Sequence, residues 1–196
     1  IDENTRMLII NSPHNPSGLT LSQNDLAQLK ILINKYPNLI ILSDEVYEHI
    51  VFDNEKHLSI LADPELYARS LVVFSFGKTF HATGWKMGYI VSNKNFMTEF
   101  RKLHSYTVFS CNAPSQFALA EYMEKHANYN EISKMYQVKR DLFISNINHS
   151  KLNIIPTKGT YFQLIDYSAY SDMKDVEFAT QLTKEFKLAS IPLSPF

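Results

Sequence analysis

Three short apolar runs share one layout along the chain. Residues 7–10, 39–42 and 71–74 are continuously apolar, and polar, glycine or proline residues end each run. A short run of this kind is typical of a strand that is buried on both faces of a parallel sheet. A fourth candidate strand covers residues 87–91. The pattern therefore predicts a sheet built mostly from parallel strands.

The segments between and after these runs predict helices. Ser22 is a candidate N-cap, Asp25 follows it at the capping-box spacing, and an apolar stripe of helical period comes next. Residues 53–69 are less regular and predict at most a short helix. Residues 114–146 follow a helical pattern, and a break at residues 127–130 divides them into two helices. Strands that alternate with helices in this way predict an α/β fold.

A polar cluster at residues 146–150 is the best candidate for a domain boundary. We predict that residues 1–148 belong to a large α/β domain, with helices on both faces of its sheet. Residues 149–196 are predicted to be the incomplete start of an α+β C-terminal domain. Its predicted elements are a strand, a second strand and a helix, at residues 152–155, 161–165 and 176–186.

The composition is that of an ordinary globular protein and excludes several classes of function. Of the 196 residues, 45% are hydrophobic and 20% are charged, and the formal net charge is -1. Such a balance gives no electrostatic case for nucleic acid or a membrane surface as partner. No apolar stretch approaches the roughly 20 residues of a membrane helix. The single cysteine, Cys111, predicts a reducing, cytoplasmic compartment, and the seven histidines lack metal-ligand spacing, so no metal site is predicted.

Polar side chains follow the predicted strands at one edge of the sheet, where ligands of α/β folds bind. The strand ends deliver Asn15, Asp44 and Lys78 to this edge, and Tyr47 follows shortly after Asp44. A lysine can hold the aldehyde of pyridoxal phosphate as a Schiff base and move a proton. A buried carboxylate keeps the ring nitrogen of this cofactor protonated. An amide and a phenol can donate to its ring oxygen, so this set of side chains meets the needs of pyridoxal phosphate.

Four motifs resemble the signatures of the fold-type I, class I/II aminotransferases, and they occur in the order and at the separations typical of that family. They are residues 11–18 (NSPHNPSG), 43–47 (SDEVY), 75–80 (SFGKTF) and 84–89 (GWKMGY). The resemblance covers essentially the whole chain. Residues 79–86 (TFHATGWK) are most similar to the branch of methionine, glutamine and kynurenine aminotransferases.

The resemblance implies a role for each residue at the predicted sheet edge. Lys78 is implied to be the catalytic lysine that holds the cofactor, and Asp44 the partner of the pyridine nitrogen. Asn15 and Tyr47 are implied to donate to the ring oxygen. Taken singly, Asp44 could cap a helix and Asn15 could belong to an ordinary turn. The joint pattern favours the cofactor site.

Two further residues are implied to bind the cofactor phosphate. These are Ser75 and Lys86, and many family members carry arginine at the second position. Lysine keeps the charge but loses the planar, two-pronged geometry of arginine. Farther along the chain, either Tyr161 or Phe162 is a candidate wall of the substrate pocket, next to a turn at Gly159.

The implied function is transfer of an amino group between a large neutral amino acid and a 2-oxo acid. The amino acid would be of the methionine, aromatic, glutamine or kynurenine type, and the implied assembly is a homodimer. Two alternatives stay open: a pyridoxal-phosphate-dependent C–S lyase of the same fold, and a non-catalytic, aminotransferase-like sensing domain of a regulator. Thiol or pyruvate release without an oxo acid would favour the lyase, whereas a regulator would need a DNA-binding segment.

The resemblance also predicts that this chain is a fragment. Family members carry a phosphate-binding turn and a ring-stacking aromatic residue before the segment that matches residues 11–18. They carry an arginine for the substrate carboxylate after the segment that matches the last residues here. The chain lacks an initiator Met and shows no signal peptide at its start. We expect the intact protein to be longer, and the fragment alone to fold poorly and have little activity.

Overall fold

The computed structural model of the protein describes residues 1–126 and 130–195. Its strands are β1 (Met7–Asn11), β2 (Ile40–Asp44), β3 (Ser70–Ser75), β4 (Gly88–Ser92), β5 (Asn153–Ile154) and β6 (Ile165–Asp166). Its α-helices are α1 (Gln23–Lys35), α2 (Pro64–Ala68), α3 (Phe76–Thr79), α4 (Lys94–Thr107), α5 (Ala113–Lys125), α6 (Asn130–Ile147) and α7 (Asp175–Phe186). Two short 3₁₀ turns cover Ile60–Ala62 and Thr83–Trp85.

Four strands form one sheet in the order β1-β2-β3-β4. The first three are mutually parallel, and β4 runs antiparallel to β3. The connection from β3 to β4 contains only the single turn α3 and the second 3₁₀ turn, and no long crossover helix. The α/β class with a mostly parallel sheet, predicted from the apolar runs, is confirmed.

One face of the sheet carries the main hydrophobic core. Helix α1 begins with the predicted capping box, in which the Ser22 side chain accepts from the backbone N–H of Asp25 and the Asp25 side chain accepts from the backbone N–H of Ser22. This box satisfies backbone donors that a helix otherwise leaves unpaired. The buried core residues from helices, strands and the first 3₁₀ turn are Leu26, Leu29, Ile33, Ile41, Ile60, Leu66, Val72 and Phe74. Each such side chain contributes roughly 1.5–3 kcal/mol of burial free energy, so this face accounts for much of the stability of the sheet.

The opposite face is open at β1. Met7 is 45% exposed and Ile9 is 66% exposed, so none of the described residues covers that side of the strand. The prediction that all three apolar runs are buried on both faces is therefore wrong for β1 within residues 1–126 and 130–195. A continuous apolar run indicates that both faces of a strand could be buried. Whether they are buried depends on other segments that pack against each face.

The later helices and strands differ in detail from the predicted ones. The division of residues 114–146 into two helices is confirmed as α5 and α6, although three residues of the predicted break, 127–129, lie outside the described residues. Helix α4 was not predicted, and none of its 14 residues is buried. Of the predicted strands 152–155 and 161–165, only the two-residue pairs β5 and β6 form, and they run antiparallel.

The segment around Gly159 pairs with residues 50–52, which follow β2. The backbone N–H of Phe52 donates to the carbonyl of Lys158, and the N–H of Thr160 donates to the carbonyl of Ile50, each over 2.9 Å. An isolated antiparallel bridge joins Val51 to Gly159. This segment follows the domain boundary predicted at residues 148/149 in the chain. The boundary itself stays a prediction. None of the helices in the described part of the chain is both long and apolar enough to cross a membrane.

Candidate active site

Lys78 lies on α3, a single helical turn that follows β3 without a loop. Ser75 ends β3 in extended backbone conformation, and Lys78 comes one turn later with a half-buried side chain. Gly77 allows this turn to pack tightly, because a Cβ at that position would lie 2.8 Å from the Cα of Thr83. The local sequence therefore places the lysine amine directly beyond the carboxyl end of β3.

Asp44 ends the neighbouring strand and is half-buried. Its Oδ1 accepts a hydrogen bond from the backbone N–H of Val46 over 3.2 Å, which begins the turn that leads to Tyr47. Burial raises the pKa of the Asp44 carboxyl above its ordinary value, while that N–H and the positive charge of Lys78 act in the opposite direction. A nearby cation would therefore stabilise the charged form of Asp44.

Asn15 and Tyr47 meet at the ends of β1 and β2. The side chain of Asn11 donates to the carbonyl of Asp44 over 2.9 Å and accepts from the backbone N–H of Asn15 over 2.7 Å. Asn15 Nδ2 then lies 3.5 Å from the phenol oxygen of Tyr47, whose residue is only 2% exposed. The amide and the phenol form two adjacent neutral donors at the same sheet edge as Asp44.

The amine of Lys78 lies between two tyrosine rings. Its Nζ is 5.4 Å from the ring centroid of Tyr47 and 5.6 Å from that of Tyr161. The same nitrogen donates a hydrogen bond to the phenol oxygen of Tyr161 over 3.0 Å. The two rings meet edge to face, with centroids 5.2 Å apart. Positive charge over an aromatic face is favourable, so this arrangement fixes the position of the amine.

Ser75 and Lys86 lie at the same end of the antiparallel pair β3–β4. Ser75 pairs with Gly88 across the two strands, and Lys86 precedes Gly88 by two residues. The Ser75 hydroxyl makes no capping hydrogen bond to α3. Lys86 is exposed and has a left-handed backbone conformation with φ 55°. The two side chains share a sheet edge, and no hydrogen bond joins them in the part of the chain that the structure describes.

The structure places the predicted site residues at one edge of the sheet and adds one contact. The structure brings Asn15, Asp44, Tyr47 and Lys78 together and places Ser75 next to them in the chain. Lys86 lies at the same edge but without a direct contact to the others. Tyr161 was predicted only as a candidate pocket wall, and its contact with Lys78 joins residues 83 positions apart. No local sequence pattern carries such a contact.

The chemistry of this donor set fits pyridoxal phosphate. An amine, a half-buried carboxylate and two neutral donors match an aldehyde, a protonated ring nitrogen and a ring oxygen. No group of three or more His, Cys, Asp or Glu side chains converges anywhere in residues 1–126 and 130–195.

Sequence comparison relates the whole chain to proteins of one family. The family model for aminotransferases of class I and II matches residues 1–196. A methionine aminotransferase of Escherichia coli (strain K12) is 46% identical over 197 residues, which cover 100% of this chain and 51% of that protein. The kynurenine–oxoglutarate transaminase 3 of Homo sapiens is 34% identical over 209 residues, which cover 98% of this chain and 46% of that protein.

Solved structures give the same relationship. The structure of YbdL from Escherichia coli, identified as a methionine aminotransferase, matches with a TM-score of 0.95 and 45% identity, over 100% of this chain and 51% of YbdL. N-succinyldiaminopimelate aminotransferase from Mycobacterium tuberculosis matches with a TM-score of 0.91 and 30% identity, over 98% of this chain and 50% of that one. The chain belongs to the aminotransferase class I and II family, and it spans about half the length of the curated relatives it matches.

Proposed function

We propose that the intact protein is a pyridoxal-phosphate-dependent aminotransferase that acts on large neutral amino acids. The proposal covers amino-group transfer between a donor of the methionine, aromatic, glutamine or kynurenine type and a 2-oxo acid. Support for the substrate class comes from relatives named as methionine aminotransferase, at 46% identity, and kynurenine–oxoglutarate transaminase, at 34%. The single observation that carries the proposal is the convergence of Lys78, Asp44 and Tyr47 at one sheet edge.

We assign the cofactor-binding roles from the position of each side chain. Lys78 would hold the cofactor covalently through its Nζ. Asp44 would face the ring nitrogen. Burial raises the pKa of its carboxyl, and an adjacent protonated nitrogen would stabilise the charged form. Asn15 and Tyr47 would donate to the ring oxygen, since their polar atoms are 3.5 Å apart.

Ser75 and Lys86 would bind the phosphate. The Ser75 hydroxyl does not cap α3, and Lys86 presents a cation from the adjacent strand end. A hydroxyl and an ammonium group are both effective phosphate ligands. These two roles rest on the family motif and on the shared sheet edge.

Lys78 is the group that would move protons. When bound, the cofactor supplies an aldehyde and an electron-accepting ring. With substrate bound, the free Lys78 amine would take the proton from the substrate Cα and would later return it. The rings of Tyr47 and Tyr161 flank Nζ and exclude water from two sides of it.

The test is a donor and acceptor screen on the purified intact protein with added pyridoxal phosphate. Methionine, glutamine, kynurenine and aromatic amino acids would each be paired with several 2-oxo acids, with aspartate as the contrasting donor. We expect product formation only when both partners are present, and better rates for the large neutral donors. Release of thiol or pyruvate from a sulfur amino acid without an oxo acid would replace this proposal by the lyase alternative.

We further propose that the protein works as a cytoplasmic homodimer. The apolar side chains of Leu103, Tyr106 and Phe109, on α4 and just after it, are 67%, 93% and 85% exposed. Contiguous exposed apolar side chains favour an interface. The single Cys111 favours a reducing compartment. Sedimentation of the intact protein and of a Tyr106→Asp variant tests the assembly, and an unchanged monomeric mass for both would contradict it.

A further inference from the structure

Tyr161 accepts a hydrogen bond from the reacting nitrogen of the candidate site. The Lys78 Nζ donates to its phenol oxygen over 3.0 Å, and this nitrogen is 5.6 Å from the centre of the Tyr161 ring. The two residues are 83 positions apart in the chain. They lie on opposite sides of the domain boundary that the sequence predicts at residues 148/149. The family motifs around Lys78 therefore do not include its hydrogen-bond partner.

The backbone before Tyr161 holds this side chain in place. Thr160 is fully buried, has a left-handed conformation with φ 66°, and donates its N–H to the carbonyl of Ile50 over 2.9 Å. Such a conformation is a rare outlier for a β-branched residue, costs about 1–3 kcal/mol and persists only where the surroundings enforce it. The preceding residue, Gly159, is also tightly packed, because a Cβ at that position would lie 2.7 Å from the carbonyl oxygen of Ile50. Tyr161 therefore follows a buried and tightly packed backbone segment, and its phenol oxygen accepts from Lys78.

The electrostatics of Tyr161 suit a hydrogen-bond acceptor. Burial raises the pKa of its phenol, but the hydrogen bond from Lys78 and the interaction with Tyr47 together outweigh burial and lower that pKa. Burial raises the pKa of Tyr47, and its interaction with Tyr161 raises it further. Tyr47 therefore keeps its proton and remains a donor, while the Tyr161 oxygen accepts from Lys78.

We infer that Tyr161 is a further catalytic residue of this site: its phenol oxygen accepts a hydrogen bond from the Lys78 amine whenever that amine is not bound covalently. The inference rests on the proposed function. In this role Tyr161 keeps the freed amine directed at the point where it takes and returns the substrate proton. The amine and the phenol each keep their own protons in this contact, so no further reactant is needed.

The first test needs no cofactor. Intact protein with ¹³C-labelled tyrosine rings would be titrated by NMR in its cofactor-free form, and the Tyr161 signal would be assigned from the Tyr161→Phe variant. We expect the pKa of Tyr161 to rise in Lys78→Met, because the ammonium donor is lost while the length of the side chain is kept. An identical titration curve in both proteins would show that Lys78 does not contact Tyr161, and would overturn the inference.

The second test uses the cofactor-loaded protein. Tyr161→Phe keeps the ring and removes only the hydroxyl, and we expect kcat to fall about ten-fold with little change in KM. The matched control is Tyr136→Phe. Its ring lies 5.6 Å from that of Tyr161, but its hydroxyl contacts His81 instead of Lys78. The control is expected to keep the wild-type kcat.

The outcomes separate this inference from the proposed function. Wild-type kcat in Tyr161→Phe would overturn the role of Tyr161 and leave the aminotransferase proposal intact. Equal losses in Tyr161→Phe and Tyr136→Phe would also overturn it, because they would indicate a general packing effect. Failure of the wild type to bind pyridoxal phosphate would instead overturn the proposed function and, with it, the catalytic part of this inference.

Discussion

The Nε2 atom of His57 lies 2.7 Å from Oε2 of Glu45, whose side chain has no exposed surface. The other carboxyl oxygen of Glu45 accepts from the Ser43 hydroxyl over 3.0 Å and from the backbone N–H of Ile60 over 3.1 Å. Glu45 follows Asp44 directly, so this buried network ties the end of β2 to the first 3₁₀ turn. The network therefore fixes the backbone next to Asp44 in the candidate site.

Replacement of His57 by leucine should therefore destabilise the fold. The substitution leaves a fully buried carboxylate oxygen without its partner, which costs about 3 kcal/mol in free energy of unfolding. Urea denaturation of the intact protein measures the loss. Lys102→Ala breaks an exposed ion pair with Glu99 and serves as the control, with no measurable change expected. Equal stability of His57→Leu and wild type would contradict the structural role of the network.

The segment before Tyr161 gives a second prediction, about stability and packing. A Cβ at position 159 would lie 2.7 Å from the carbonyl oxygen of Ile50 and 2.9 Å from Cβ of Pro13, whereas a Cβ at Gly84 would meet nothing within 4 Å. Gly159→Ala should lower the free energy of unfolding by about 1–3 kcal/mol, and Gly84→Ala should cost far less. The same urea experiment compares the two variants. Equal losses would mean that Gly159 does not pack tightly against Ile50 and Pro13.

The ion pair of Asp53 with Arg140 predicts a pH dependence of stability. Two guanidinium nitrogens of Arg140 each lie 2.7 Å from a different oxygen of Asp53, and this hydrogen bonding lowers the pKa of the carboxyl. Because the folded-state pKa lies below the ordinary value, the pair stabilises the fold above that value. The contribution is lost as the pH falls through the folded-state pKa.

Asp53→Asn isolates this contribution, because asparagine tolerates the left-handed conformation that Asp53 adopts at φ 57°. We expect the variant to be less stable than wild type near neutral pH and the difference to disappear in acid. Urea denaturation at a series of pH values from about 2 to 7 measures it. Asp53 is largely exposed, so the difference will be small. A constant difference across the series would contradict the charge pair.

Asp44 gives a prediction about catalysis. Asp44→Asn keeps the size of the side chain but removes the negative charge proposed to face the cofactor ring nitrogen. We expect kcat for amino transfer to fall by at least about 100-fold, while pyridoxal phosphate still attaches to Lys78. Asp63→Asn is the matched control, because Asp63 caps α2 and asparagine caps equally well. Near wild-type kcat in Asp44→Asn would remove Asp44 from the proposed site.

The strands of the sheet could be predicted because their information is local. Apolar runs ended by polar residues gave four strands near their observed bounds, and Ser22 with Asp25 gave the start of α1. The position of Asn15, Asp44 and Lys78 at one edge follows from parallel strands whose carboxyl ends meet. Such inferences need only the sequence period and the topology of α/β sheets.

Contacts between distant segments could not be predicted in this way. Tyr161 meets Lys78 only because the segment at Gly159 pairs with residues 50–52, and no local pattern encodes that pairing. The exposure of Ile9 was missed for a related reason. The sequence of an apolar strand does not indicate which other segments pack against it. Both cases depend on tertiary structure, which a single strand or helix pattern does not contain.

The central claim is that Lys78 holds pyridoxal phosphate covalently. The most direct measurement is the absorption spectrum of the intact protein with added pyridoxal phosphate, recorded after dialysis for wild type and for Lys78→Ala. A long-wavelength band of bound cofactor that is present in wild type and absent from the variant is the predicted result. A folded wild type without the band, or a Lys78→Ala variant that retains it, would contradict the assignment of Lys78.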